Sequence, residues 1–153
     1  MSVAVQSADF DVGAEIAAVR AGRNDIGGIA VFIGTVRDIA GGRPITAMTL
    51  EHFPGMTEAE LSRIEAEAHR RWPLAGSRIV HRIGRLLPGD SIVLVVTAAA
   101  HRQAAFEAAE FLMDYLKSDA PFWKKEEFAD GSAHWVDAKE TDDLASARWG
   151  QSR

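Results

Sequence analysis

Six cationic positions carry the clearest chemical signal in this sequence. His101 and Arg102 stand side by side at the head of a long apolar-periodic segment. Lys117 closes that segment, Lys124 and Lys125 follow the break Pro121-Phe122-Trp123, and Arg37 ends an apolar run. Guanidinium forks and movable ammonium groups suit a phosphorylated or carboxylated ligand. The free N–H groups of a helix start favour an anion beside His101 and Arg102. Each residue also has a plainer reading. His101 and Arg102 fit an exposed helix start, Lys117 complements a helix dipole, Lys124 and Lys125 fit solvated charges on an edge strand, and Arg37 can pair with Asp38. His52, His69, His81 and His134 lack metal-ligand spacing and read as structural or exposed, so neither a metal nor a cofactor is expected.

Chain geometry narrows the choice. His101 and Lys117 are sixteen positions apart, which on a continuous helix separates them by ~24 Å. Both cannot touch one small ligand within a single subunit. Either they serve separate purposes, or a second copy brings one helix start beside another helix end, as a symmetric dimer does. Lys117 and Lys124 differ in this respect, because a turn at Pro121 folds them toward each other.

The elements that would position these groups can be read from periodicity and turn residues. Val3 to Gln6 is a short strand. Asp11 caps a helix to about Ala21, with Ile16 and Val19 inward. Ile26 to Val36 reads as a buried strand, Arg37 to Pro44 as a mobile loop around Gly41-Gly42, and Ile45 to Phe53 as a strand covered on one face. Thr57 and Glu60 form a capping-box pattern ahead of a helix to about Trp72. Arg78 to Leu86 and Ser91 to Ala99 flank Leu87-Pro88-Gly89-Asp90 as a hairpin. In the helix from His101 to Lys117, Phe106, Ala109, Leu112, Met113 and Leu116 make one apolar face. Phe122 to Phe128 and His134 to Val136 pair across Ala129-Asp130-Gly131. About three helices and six or seven strands, joined mainly by hairpins, predict an α+β domain with a mainly antiparallel sheet. One domain spans 1–153, with 140–153 either a docking segment or a solvated tail.

Composition sets the outer bounds. In 153 residues, 47% are hydrophobic and 25% charged, as in an ordinary globular domain. Seventeen Lys and Arg against 22 Asp and Glu give a net charge of -5, which argues against a nucleic-acid or membrane-coating surface. The first residues lack a basic start and a long apolar run, so a cytoplasmic protein is expected. There is no cysteine, which excludes a disulfide, a zinc-thiolate site, an iron-sulfur cluster, a thiol nucleophile and a persulfide.

Six runs taken in order, FIGTVRD (Phe32 to Asp38), LEHFPGM (Leu50 to Met56), HRIGRLLPGD (His81 to Asp90), HR (His101, Arg102), FEAAEFLMDYLK (Phe106 to Lys117) and APFWKKE (Ala120 to Glu126), closely resemble the catalytic, large-subunit family of molybdopterin synthase. The resemblance implies an α/β hammerhead fold and a homodimer at the centre of a heterotetramer. A small ubiquitin-like sulfur-carrier subunit inserts its C-terminal Gly-Gly thiocarboxylate. Two sulfurs then pass to cyclic pyranopterin monophosphate, forming the dithiolene of molybdopterin. By position, Lys117 and Lys124 match the family's catalytic lysines, and both also bind substrate. Arg37, His101 and Arg102 match its substrate- and anion-binding positions. Lys139 falls where relatives often carry Arg, which keeps the charge and loses the fork. Phe32, Met113 and Phe122 are either channel-lining or core. The competing reading is a non-catalytic dimeric module that binds a phosphorylated metabolite or a partner's tail.

Overall fold

Among residues 2–136, 144 and 147–151, which the computed structural model describes, the chain runs β1 (Val3–Gln6), α1 (Val12–Arg20), β2 (Gly28–Thr35), β3 (Ile39–Ala40), β4 (Arg43–His52), α2 (Met56–Arg71), β5 (Leu74–Arg82), β6 (Gly84–Leu86), β7 (Ser91–Ala99), α3 (Arg102–Ser118), β8 (Phe122–Phe128) and β9 (Ala133–Trp135). The apolar runs of β5 and β7, whose successive side chains point to opposite faces, explain the first layer. Val80, Leu94 and Val96 meet Phe10, Val12, Ile16 and Val19 of α1 and its approach. Ile79, Val93 and Val95 meet Leu61, Ile64 and Ala68 of α2 and Ala105, Ala108 and Leu112 of α3. A sheet in the order β1-β5-β7-β2 is therefore covered on both faces. Each fully buried leucine in that core contributes roughly 1.5–3 kcal/mol.

The second sheet runs β3-β4-β8-β9, with β6 also paired to β4. Val36, Met48, Leu50 and Leu86 form its own small core, and Ile92 of β7 packs against it. Only β1 and β5 pair in parallel; the other described strand pairs are antiparallel. The architecture is α+β, as the hairpin-rich pattern predicts.

Several expectations are corrected in detail. The Ile26 to Val36 run is an edge strand, with Val31, Phe32 and Ile33 39–41% exposed. An apolar run looks the same whether its second neighbour is another strand or open space. The stretch at Gly41-Gly42 is a tight hairpin: β3 and β4 pair directly around the two glycines, whose φ values of 57° and 78° are those a type I′ turn needs. The strand expected from Arg78 to Leu86 begins at Leu74 and breaks after Arg82. Gly84, at φ 91°, turns the chain so that β6 leaves β5 and joins β4 in the other sheet. The capping box lies two residues earlier than predicted, with Gly55 N–H donating to Glu58 Oε1 at 2.8 Å. Thr57 is fully buried and its hydroxyl donates to the Phe53 carbonyl at 2.7 Å. Phe106, placed by its spacing on the core face, is 63% exposed.

Near the chain end, a 3-10 turn at Arg148–Gln151 places Trp149 edge-on to Trp72 and Phe111, with centroids 5.6 and 5.5 Å away. Its indole N–H donates to Asp114 Oδ2 at 2.6 Å, and Arg71 Nη1 donates to its carbonyl at 2.7 Å. Arg148 and Trp149 are thus held against α2 and α3, while Leu144 is exposed.

Candidate functional site

Three of the predicted cations meet at one cavity. Arg37, Lys117 and Lys124 line a space of about 170 Å³, together with His81, Met113 and Glu126. That volume lies below the roughly 300–1,000 Å³ that encloses a drug-sized ligand. It suits the end of a narrow chain, or one part of a larger molecule.

Each cation is positioned by a different element. Val36 is 3% exposed, its N–H donates to the Asp90 carbonyl at 2.9 Å, and its own carbonyl accepts from Gly89 N–H at 2.8 Å. The turn before β7 thereby grips the backbone next to Arg37. Lys117 lies in the last turn of α3, where Asp119 N–H and Ala120 N–H both return to the Tyr115 carbonyl and end the helix. Pro121 then prevents its continuation. Lys124 is the third residue of β8, opposite Leu50 of β4, and its carbonyl accepts from Val136 N–H at 2.8 Å. Alternation along β8 sends Lys124 and Glu126 to the same face. Three cations against one carboxylate leave the cavity positive in a chain whose net charge is -5.

The other predicted residues lie elsewhere. His101 precedes α3 and makes no side-chain capping bond. It borders a separate open depression with Trp72, Gln103 and Glu107, and Arg102 begins the helix beside it. These two residues are at the opposite end of α3 from Lys117. Met113 lines the cavity, Phe32 is on the exposed edge of β2, and Phe122 stacks on His81. Lys139 lies outside the described residues.

His81 is the site residue that sequence reasoning missed. It is 6% exposed and stacked on Phe122 with centroids 3.7 Å apart, and Nδ1 is 2.8 Å from the Arg82 carbonyl. Burial drives its pKa down to about 4, and the charges of Lys124, Lys117 and His52 push in the same direction against the Arg82 hydrogen bond. The imidazole is therefore neutral at pH 7. The unfolded chain takes up this proton near pH 6.5 and the folded chain only near 4. The stability this ring contributes is complete above pH 6.5 and drains away as pH falls toward 4. Integrated over that window it amounts to about 3 kcal/mol. Denaturant titrations from pH 7 to 4 should show His81→Phe losing less stability than the wild-type chain, by about that amount. Parallel losses would refute the assignment.

No helix among the described residues is long and apolar enough to cross a membrane. The family profile described as MoaE protein matches residues 5–119. The molybdopterin synthase catalytic subunit of Ralstonia nicotianae is 59% identical over 149 residues, covering 97% of this chain and 84% of that one. Among solved structures, the molybdopterin biosynthesis MoaE protein from Burkholderia ambifaria superposes with a TM-score of 0.83 at 56% identity, covering 99% of each chain. Molybdopterin synthase from Staphylococcus aureus superposes at 0.80 with 28% identity, over 87% of this chain and 95% of that one.

Proposed function

The chain belongs to the MoaE protein family, and from that premise we propose that it works in the cytoplasm as the catalytic subunit of a molybdopterin synthase. It transfers sulfur from the C-terminal Gly-Gly thiocarboxylate of a small carrier subunit to cyclic pyranopterin monophosphate. The observation that carries the reading is the meeting of Lys117, Lys124 and Arg37 at one narrow cavity. A thin peptide tail ending in an anion matches both its size and its charge.

In this site the Lys117 ammonium faces the acyl group of the tail and stabilises the negative charge that develops there. Lys124 holds the tail or the substrate beside it, and Arg37 takes the substrate phosphate as a fork. His101 and Arg102 are too far along α3 to help within one subunit, so they serve the site of a second copy. Lys139 adds charge at the phosphate. The exposed apolar residues Val31, Phe32 and Ile33 support such a homodimer, with one carrier on each subunit. Each sulfur delivered uses one carrier tail, so a dithiolene consumes two.

Purified chain, thiocarboxylated carrier and cyclic pyranopterin monophosphate should together yield the dithiolene product with two carriers spent per product. No product with a competent carrier would overturn the reading. Shared sites have their own test. Mixed dimers of a His101→Ala/Arg102→Ala chain with a Lys117→Ala chain should regain about half the wild-type turnover, because one of the two sites recovers every group. A stable mixed dimer with no recovery would rule sharing out.

A further inference from the structure

We propose that His81 Nε2 is the hydrogen-bond acceptor of the cavity for an N–H group of the entering ligand, either a backbone amide of the carrier tail or an N–H of the pterin precursor. The inference rests on the function proposed above and adds a binding residue to it. The tautomer is fixed by geometry. A carbonyl only accepts, so the 2.8 Å contact with the Arg82 carbonyl places the proton on Nδ1 and leaves the lone pair on Nε2.

No donor among the described residues bonds Nε2, and none of their fully buried polar side-chain atoms lacks a partner. Nε2 therefore keeps some accessible surface, and the space that His81 lines is the cavity. The ring is held flat against Phe122, at 15° between planes. Phe122 lies two residues before Lys124 on β8, so the acceptor is locked in register with the lysine pair.

Chemistry gives this nitrogen a distinct task. Arg37, Lys117 and Lys124 are donors without acceptor capacity, and they suit the phosphate and the thiocarboxylate. A peptide tail and a pterin also bring N–H groups, which cations repel. Besides the Glu126 carboxylate and the Thr35 hydroxyl, which also donates, neutral Nε2 is a side-chain acceptor there, and it is uncharged and without a proton to donate. The charged groups facing it are Lys117 from α3, Lys124 and Glu126 from β8, and Arg37 after β2, with His52 from β4 beside them.

The test titrates the cyclic precursor and the carrier separately into wild-type, His81→Leu and His81→Gln protein by calorimetry. Leu fills the space without an acceptor, and Gln restores one. His81→Leu should weaken at least one ligand by about tenfold, and His81→Gln should recover part of that loss. The ligand that weakens identifies the N–H donor. Unchanged affinities, or a loss that Gln does not recover, would overturn the proposal.

Should His81→Leu fail to fold, imidazole 15N spectra of the wild-type protein decide. The Nε2 resonance must move upfield on adding one of the two ligands, and no movement with either refutes the idea. A chain that binds both ligands yet makes no product would sink the proposed activity and leave the acceptor measurement standing. One that binds neither would sink both.

Discussion

Lys117→Ala should lower turnover by at least about 10²-fold, the scale on which removing one preorganised charge-stabilising donor acts, while folding and carrier affinity stay near wild type. The expectation follows from where the side chain sits. Lys117 is exposed at the end of α3, makes no ion pair with a described residue, and reaches the cavity shared with Arg37 and Lys124. Truncating it leaves no buried partner unpaired and opens no core void, so the stability cost is a few tenths of a kcal/mol at most. Single-turnover assays at saturating carrier, with thermal melts alongside, separate the two effects. Turnover within a factor of two of wild type would remove Lys117 from the chemistry. Arg in its place should not restore full rate, since a planar fork cannot reproduce a compact, movable point charge.

Gly27→Ala should be the more damaging change to the molecule itself. A Cβ at Gly27 would lie 2.0 Å from the Ala100 carbonyl oxygen, and that oxygen belongs to backbone. The backbone is also pinned next door, with Gly27 N–H donating to the Ala99 carbonyl at 2.9 Å. No side chain can rotate away, so the strand entry or the 99–101 segment must shift. Overpacking of this kind costs about 3 kcal/mol, which for a domain of this size lowers Tm by about 6–12 °C. The same segment leads into His101 and Arg102, so a surviving variant should also lose affinity for the phosphate-bearing substrate. Gly13→Ala is the control. Its nearest neighbour is an Asp11 carboxylate oxygen at 3.5 Å, inside α1, where Ala is the better helix former. Equal Tm losses in both variants would show that close approach at Gly27 is not the cause.

Much of the fold was legible because its longer elements carry their own period. The unbroken apolar run of β7 behind its Pro88-Gly89 turn, the apolar face of α3 and the turn before β9 each name an element without reference to the rest. What escaped had no local signature. β3 has two residues and β6 three, too few for any period to register. Whether β2 is central or at an edge is a property of its neighbours. Phe106 falls in the apolar stripe of α3 and is nevertheless exposed, which depends on what lies opposite it and not on its spacing. At the site, Lys117 and Lys124 could be paired from chain geometry alone, since Pro121 forces a turn between them. His81 could not. A single histidine within an apolar strand reads as packing, and its role depends on Arg82, Phe122 and two lysines converging from three separate elements. The one available hint was the placement of His81 just before the Gly84 break, where a strand end can present a side chain to a cavity.

On the shared-site function proposed above, the open edge of β2 would tie activity to protein concentration. If His101 and Arg102 of one copy complete the cavity of another, a lone chain carries two half-built sites and no whole one. Dilution below the dissociation constant of the pair would then extinguish turnover without unfolding anything, and added precursor, by binding across the junction, would draw the halves back together. Val31, Phe32 and Ile33, which do not line the cavity, would in that way help set the apparent affinity for the substrate.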